Sequence, residues 1–463
     1  MMLLEILRAC GARLSDFTER WVPDAWVICM MLTAFALLLS VVGAGATPEA
    51  AVVAWGQGVW KLLAIAMQFT IAMVAAYACV ASRPAYRLFD WLAGLPDPDR
   101  PLQAIALAGV FSMIMGYLNW ALCLVSCALF TPFLIRRNPR ADIRVLIASS
   151  YLGIGTIWHG GFSGSAPLIL ATPDNPLVRP GANGAPAVVD RLYPINETLF
   201  STFNLVYVCV IFGVALVTVL LLHPSRNART LTPEQAEAIM PAAPPADPVA
   251  VTPGERLDHF RGWVWLAIVL LLYPLGRTIA TNGFMQSWTI DAYNTVFLAL
   301  ALALHGRATS FLRACRKAVD SAWGIIVQYP FYAGIFGLLQ FTPLGHWLGE
   351  LFARLATTET FPLVVYAYSG FMNLFIPSGG SKWLIEAPFL VPAGLSLDVS
   401  VVTTTLAYGY GDSTTNLIQP FFAIPILAVT RLRFGEIVGY TFLVTVVLFA
   451  ANVVAMLLIP PML

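Results

Sequence analysis

The chain has 463 residues, 59% of them apolar and 11% charged, with a formal net charge of +1 and a mean hydropathy of +0.76. Soluble globular domains carry roughly 45–50% apolar and about 25% charged residues, so the composition excludes a large soluble core and indicates an integral membrane protein. The net charge says nothing about nucleic acid, but no basic run suited to a phosphate backbone is present, so no nucleic-acid partner is expected and membrane lipid is the surroundings.

The first twenty residues hold Glu5, Arg8, Arg13, Asp16, Glu19 and Arg20. That layout is not the basic, apolar, small-residue order of a cleaved signal peptide. Beyond them, the apolar stretches 25–45, 58–81, 199–222, 262–281 and 436–459 each approach or exceed the roughly 20 residues a helix needs to cross a bilayer. Strands of alternating pattern are not evident, so an all-α polytopic bundle is expected rather than a barrel. The seven cysteines form no CxxC or Cys/His cluster, so they read as small buried hydrophobes and not as a disulfide framework or a zinc site.

Lys and Arg collect in alternate connections: Arg8, Arg13 and Arg20; Arg83, Arg87 and Arg100; Arg136, Arg137, Arg140 and Arg144; Arg226, Arg229, Arg256 and Arg261; Arg307, Arg313, Arg316 and Lys317; Arg431 and Arg433. The positive-inside rule places this set, and with it the N-terminus, in the cytoplasm. The assignment holds only if the apolar runs 102–135 and 361–395 each leave and return on one side. Each is of a length for a helix plus a shorter return or for a re-entrant hairpin, and two full but short crossings per run would also fit. The Pro/Ala-rich segment 223–260 reads as a cytoplasmic linker between membrane repeats spanning 1–222 and 261–463.

The two halves are alike. Gln68-Phe69 matches Gln328-Tyr329, Gly116 to Asn119 matches Gly370 to Asn373, and Pro132-Phe133 matches Pro388-Phe389. Tyr151, Gly153 and Gly155 match Tyr408, Gly409 and Gly411, and Pro167 and Pro173 match Pro420 and Pro425. The order is kept at a separation of roughly 255 residues. Because the Gln68 and Gln328 helices run in opposite senses across the membrane, the repeats are expected to be inverted, a plan of secondary transporters with discontinuous helices at the midplane. The expected breaks are GYLNW (116–120), GTIWHGGFSGSAP (155–167), IPSGGSKWLIEAP (376–388) and YGYGDSTTNLIQP (408–420). Glycine and proline interrupt helices there. A free helix N-terminus suits an anion, and unwound carbonyls with Ser, Thr and Asn oxygens suit a small hard cation.

GGFSGSAPLILATPDNP (160–176), PSGGSKWLIEAPFLVPA (377–393), NLIQPFFAIPIL (416–427) and QYPFYAGI (328–335) resemble the short-chain fatty acid transporter family, of the acetoacetate and butyrate type, within the ion transporter superfamily. The resemblance runs over nearly the whole chain from WVPDAW (21–26) onward. It implies uptake of small monocarboxylates by an elevator-type homodimer in the bacterial cytoplasmic (inner) membrane, with no cofactor beyond a coupling Na⁺ or H⁺.

For the site, Ser378, Gly379, Gly380 and Ser381 are expected at a hairpin tip, their amides and hydroxyls holding a carboxylate or Na⁺; the bland alternative is a solvated turn. Lys382 and Glu386, four apart, are expected to form a mutual ion pair that lowers their cost of burial, with Lys382 as the substrate's counter-charge the sharper alternative. Ser163, Ser165 and His159 are candidate substrate contacts from the first half. His159 reads first as a hydrogen-bonded structural residue, with contact to substrate or proton the sharper alternative, and Trp158, Phe162 and Trp383 as pocket walls or as packing. Asp412, with Ser413, Thr414, Thr415 and Asn416, is the candidate for Na⁺ binding or proton carriage, against capping of a half-helix. Asn119 and Asn373 add amide oxygens to that set, or act as interhelical glue. HGGFSG is no hydrolase motif, because residues 161–165 read GFSGS and lack the G-x-S-x-G frame.

Overall fold

The structure is a computed structural model that describes residues 23, 25–180, 187–224, 228–247 and 249–463. Arg8, Arg13, Arg20, Cys10 and Arg226, part of the charge and cysteine reading above, lie outside the described residues. Among the described residues the regular elements are all helical, and 8 helices are long and apolar enough to cross a membrane.

In the first half, α1 (Ala25–Leu38) runs into a π-helical turn, followed by α2 (Pro48–Gly58) and α3 (Leu63–Val80). Next come α4 (Arg83–Ala93), α5 (Pro101–Leu118) and α6 (Trp120–Arg137). Two half-helices, α7 (Ile143–Ser150) and α8 (Ser165–Ala171), flank short 3₁₀ turns, and α9 (Thr202–Leu221) closes the half. The second half follows. It comprises α10 (Gly262–Asn282), α11 (Ile290–His305), α12 (Ala308–Phe341), α13 (Leu344–Leu355), α14 (Phe361–Asn373), α15 (Gly379–Ser396), α16 (Val401–Thr415), α17 (Pro420–Thr430) and α18 (Phe434–Leu458). Between the halves, Pro233–Ala238 and Pro253–Asp258 are single-turn helices, each opened by a Thr capping box.

Packing follows the same pairing. α2 lies on α12 and α11 on α3; α6 lies on α3 and α15 on α12; α6 meets α17 and α15 meets α8. Phe69 and Tyr329, matched in the sequence, meet with ring centroids 6.3 Å apart. The halves therefore interlock, each covering the other's broken helix.

The breaks are narrower than the sequence suggests. α5 and α6 have 18 residues each, about 27 Å apiece, so run 102–135 forms two near-full crossings and not a helix with a short return. They are separated by Asn119 alone, whose extended backbone (φ −162°, ψ 117°) ends one helix while its side-chain oxygen caps the next at Leu122 N, 2.9 Å away. In the second half the irregular stretch is 374–378. Gly379 already belongs to α15, which continues through Pro388 and Pro392. Likewise α16 stays helical through Gly409, Gly411 and Thr415, and the chain breaks only at 416–419. These glycines serve close approach rather than breakage: a Cβ on Gly411 would sit 2.2 Å from Tyr366 O on α14.

Candidate functional site

At the centre is Asp412, on α16 and 1% exposed. Lys382 Nζ from the first turn of α15 lies 3.0 Å from its Oδ1, and His159 Nδ1 from the first-half break lies 3.3 Å from its Oδ2. Both contacts rest on distance and charge, since neither carboxylate oxygen takes a well-aligned hydrogen bond. Lys382 is otherwise fully engaged. It donates to Ser369 O (2.8 Å) and Ser369 Oγ (2.7 Å) and stands 4.5 Å from the Tyr408 ring centroid. Ser369 Oγ in turn donates to Tyr408 O, and the Tyr408 hydroxyl donates to Gly379 O. One network thus joins α14, α15 and α16.

His159 Nε2 accepts from Ala166 N at 3.1 Å. In the neutral imidazole that leaves the proton on Nδ1, aimed at Asp412. Gly379 lets the N-terminus of α15 come down on the same spot. A Cβ there would meet Trp158 Cη2 at 2.7 Å, Asp412 Oδ2 at 2.9 Å and His159 Cε1 at 3.0 Å. Three electropositive features, namely the ammonium, the imidazole N–H and the open amide end of an 18-residue helix, converge on one carboxylate. Aromatic groups surround them: Trp158, Trp383 against Tyr408 (4.8 Å), and Phe69 and Tyr329 beside Gly380. Lys382, His159 and Asp412 are at most 1% exposed, so the site is sealed.

The expected Lys382–Glu386 ion pair does not form. Lys382 reaches across to Asp412, and neither oxygen of Glu386 has a hydrogen-bond partner although the residue is 1% exposed. The α15 N-terminus lies against α14 and α16, and Lys382 reaches the Ser369 carbonyl and hydroxyl on the one and the Asp412 carboxylate on the other. Residues 378–381 do gather beside the network, with Ser381 Oγ buried and unpartnered and the Tyr329 hydroxyl next to Ser378 and Ser381.

The other candidates are placed differently. Ser163 braces the first break, accepting from Trp120 N (2.9 Å). Ser165 opens α8 and is buried. Phe162 packs with Tyr117, Phe200, Phe284 and Trp288. Ser413 Oγ and Thr414 Oγ1 donate back to Gly409 O and Tyr410 O within α16. Asn373 Nδ2 holds the second break together, reaching Asp412 O (2.9 Å), Thr415 Oγ1 (3.0 Å) and Asn416 Oδ1 (2.6 Å), while Asn416 Nδ2 crosses to Ile154 O. Asn119 caps α6. Ser369 was missed by sequence reasoning. Its only signal was its place one residue before the Gly370 to Asn373 match.

An all-helical, multi-pass chain whose two broken helices meet at a sealed charged centre belongs to the class of membrane transporters. The profile of the family described as "Short chain fatty acid transporter" matches residues 6–459, and this chain belongs to that family. Two relatives carry the name "Putative short-chain fatty acid transporter". The one from Escherichia coli is 33% identical over 94% of this chain and 96% of its own length, and the one from Haemophilus influenzae is 30% identical over 95% and 96%. The fold resembles the crystal structure of the Alcanivorax borkumensis YdaH transporter, described as having an unusual topology, with a TM-score of 0.57 at 16% identity, covering 94% of this chain and 98% of that one.

Proposed function

We propose that this protein is a secondary active transporter that takes up short-chain monocarboxylates, of the acetoacetate or butyrate kind, with Na⁺ or H⁺. The observation that carries the reading is the sealed centre: one buried ammonium, Lys382, beside a free helix N-terminus and a wall of Trp158, Trp383, Tyr408 and Phe69. A carboxylate head with a short apolar tail asks for that pairing of one positive partner and an aromatic enclosure. Repeated element order and reciprocal packing support inverted repeats that move against each other as an elevator. The coupling cation is assigned to Asp412 with Ser413, Thr414, Thr415 and Asn416, its neighbours along the chain, and Asn373, which donates to its backbone oxygen; Asn119 caps α6 instead. The distribution of Arg supports the bacterial inner membrane with a cytoplasmic N-terminus, and family resemblance a homodimer.

A sealed site favours a carrier over a passive anion channel, which needs a continuous path. In proteoliposomes, labelled butyrate should accumulate under an inward cation gradient, and unlabelled acid outside should drive counterflow of labelled acid. Absence of accumulation under both Na⁺ and H⁺ gradients would sink the reading, and uptake without counterflow would convert it to a channel. Competition by a panel of acids ranks the cargo.

A further inference from the structure

The pocket that suits a substrate carboxylate already contains one. Asp412 sits where a carboxylate head would sit, with Lys382 Nζ at 3.0 Å, His159 Nδ1 at 3.3 Å and the Gly379 end of α15 against its Oδ2. We propose that Asp412 is a built-in stand-in for the substrate, displaced only when it takes up a proton, so that one proton and one monocarboxylate enter together without net charge. This rests on the monocarboxylate reading above and narrows its cation to H⁺.

The argument is one of charge balance in a low-dielectric site. Removing one member of a buried ion pair while leaving the other charged costs about 3–5 kcal/mol. Lys382 therefore requires one anion at all times. In the empty carrier that anion is Asp412. When a substrate carboxylate approaches, two carboxylates would share one ammonium, and the like charges exclude each other. A proton from solution adding to Asp412 removes the excess: the O–H bond forms, Lys382 turns to the incoming carboxylate, and the site is neutral again. On release the proton and the acid leave together and Asp412 returns to Lys382. Both the empty and the loaded site are neutral, and only those two can cross the membrane cheaply.

The groups facing Asp412 fit a proton better than Na⁺. They are Lys382 and Glu386 from α15, His159 from the first break, Tyr408 from its own helix and Ser369 from α14 through Lys382. Na⁺ needs a shell of oxygens, whereas the groups set against the carboxylate oxygens are the nitrogens of Lys382 and His159, at 3.0 and 3.3 Å. Glu386 lacks a partner for either oxygen, and an unpartnered buried carboxyl is tolerated only in its uncharged form, so it does not compete for Lys382. The imidazole Nδ1 of His159, with Nε2 held by Ala166 N, lies 3.3 Å from Oδ2, one of the two oxygens that can take the proton.

Three measurements on full-length protein test this. Net butyrate uptake into proteoliposomes should follow an imposed pH gradient and ignore both a Na⁺ gradient and a potassium–valinomycin potential. Purified wild-type protein in weak buffer near neutral pH should bind about one proton per site when butyrate is added, read by a pH dye. Asp412→Asn, a mimic of the protonated side chain, should lose net uptake by about tenfold or more and retain counterflow, because the loaded form still crosses and only the empty return is blocked. Net uptake driven by Na⁺ or voltage, no proton uptake on binding, or Asp412→Asn with net uptake as in the wild type would overturn the inference while leaving the transporter reading intact. Absence of butyrate counterflow in the wild type would overturn the reading beneath it. The dye measurement needs no variant, so a misfolded Asp412→Asn protein leaves the idea testable.

Discussion

The two helix breaks carry matched residues, Asn119 and Asn373, yet they do different work. In the first half the tip is a single residue, Asn119, and its backbone is tied down: Asn119 caps α6, Ser163 accepts from Trp120 N, and Phe162 N donates to Tyr117 O. In the second half the stretch 374–378 is longer, Ser378 makes no side-chain cap, and the first turn of α15 carries Lys382 into a buried ion pair. The first break is a brace, and the titratable side chain from the first half, His159, comes from the separate turn between α7 and α8. The second is the charged centre. The first break thus keeps to hydrogen bonds, while the second carries the charges.

The comparison breaks most sharply at Lys382. Lys382→Met leaves Asp412 charged and unpaired, and should destabilise the detergent-solubilised protein by about 3–5 kcal/mol, seen as a large fall in thermal midpoint. Lys382→Met with Asp412→Asn should recover most of that loss yet fail to bind butyrate. A double variant as unstable as the single would show that the charges are not compensating each other.

Gly379→Ala comes next. The added methyl meets Trp158, Asp412 and His159 at 2.7–3.0 Å, an overpacking cost of about 1–3 kcal/mol, and should weaken transport more than it lowers stability. The first-half counterpart is Asn119→Ala, which removes a cap worth about 1 kcal/mol. It should lower the midpoint slightly and leave the butyrate affinity unchanged; a variant with lost affinity would mean that the first break also meets substrate.

The smallest effect concerns pH at the start of α7. Burial alone would raise the Asp142 carboxyl, but the Arg144 guanidinium and the Arg229 and Val145 amides outweigh it and hold it below its ordinary 3.8. Its contribution is therefore present at neutral pH and lost only as pH falls through that lowered value, below 3.8. Asp142→Asn should cost about 1–2 kcal/mol at pH 7, and the gap from wild type should close in strong acid.

The sequence by itself determined the class and the membrane helices. Hydropathy, proline and glycine placement and the Phe69/Tyr329 or Asn119/Asn373 matches are local or repeating signals, and they need no knowledge of which helix faces which. It also marked Asp412, Lys382 and His159 as costly residues in an apolar chain. Their partners were decided by the tertiary structure alone. Spacing of four put Lys382 with Glu386, whereas α14 and α16 bring Ser369 and Asp412 to the α15 N-terminus from 13 and 30 positions away in the chain. Nor could glycine content separate a break from a close approach, because Gly409 and Gly411 make room for neighbours within an unbroken helix. A buried charge takes the opposite charge that packing delivers at 3 Å, and packing is a property of the whole fold.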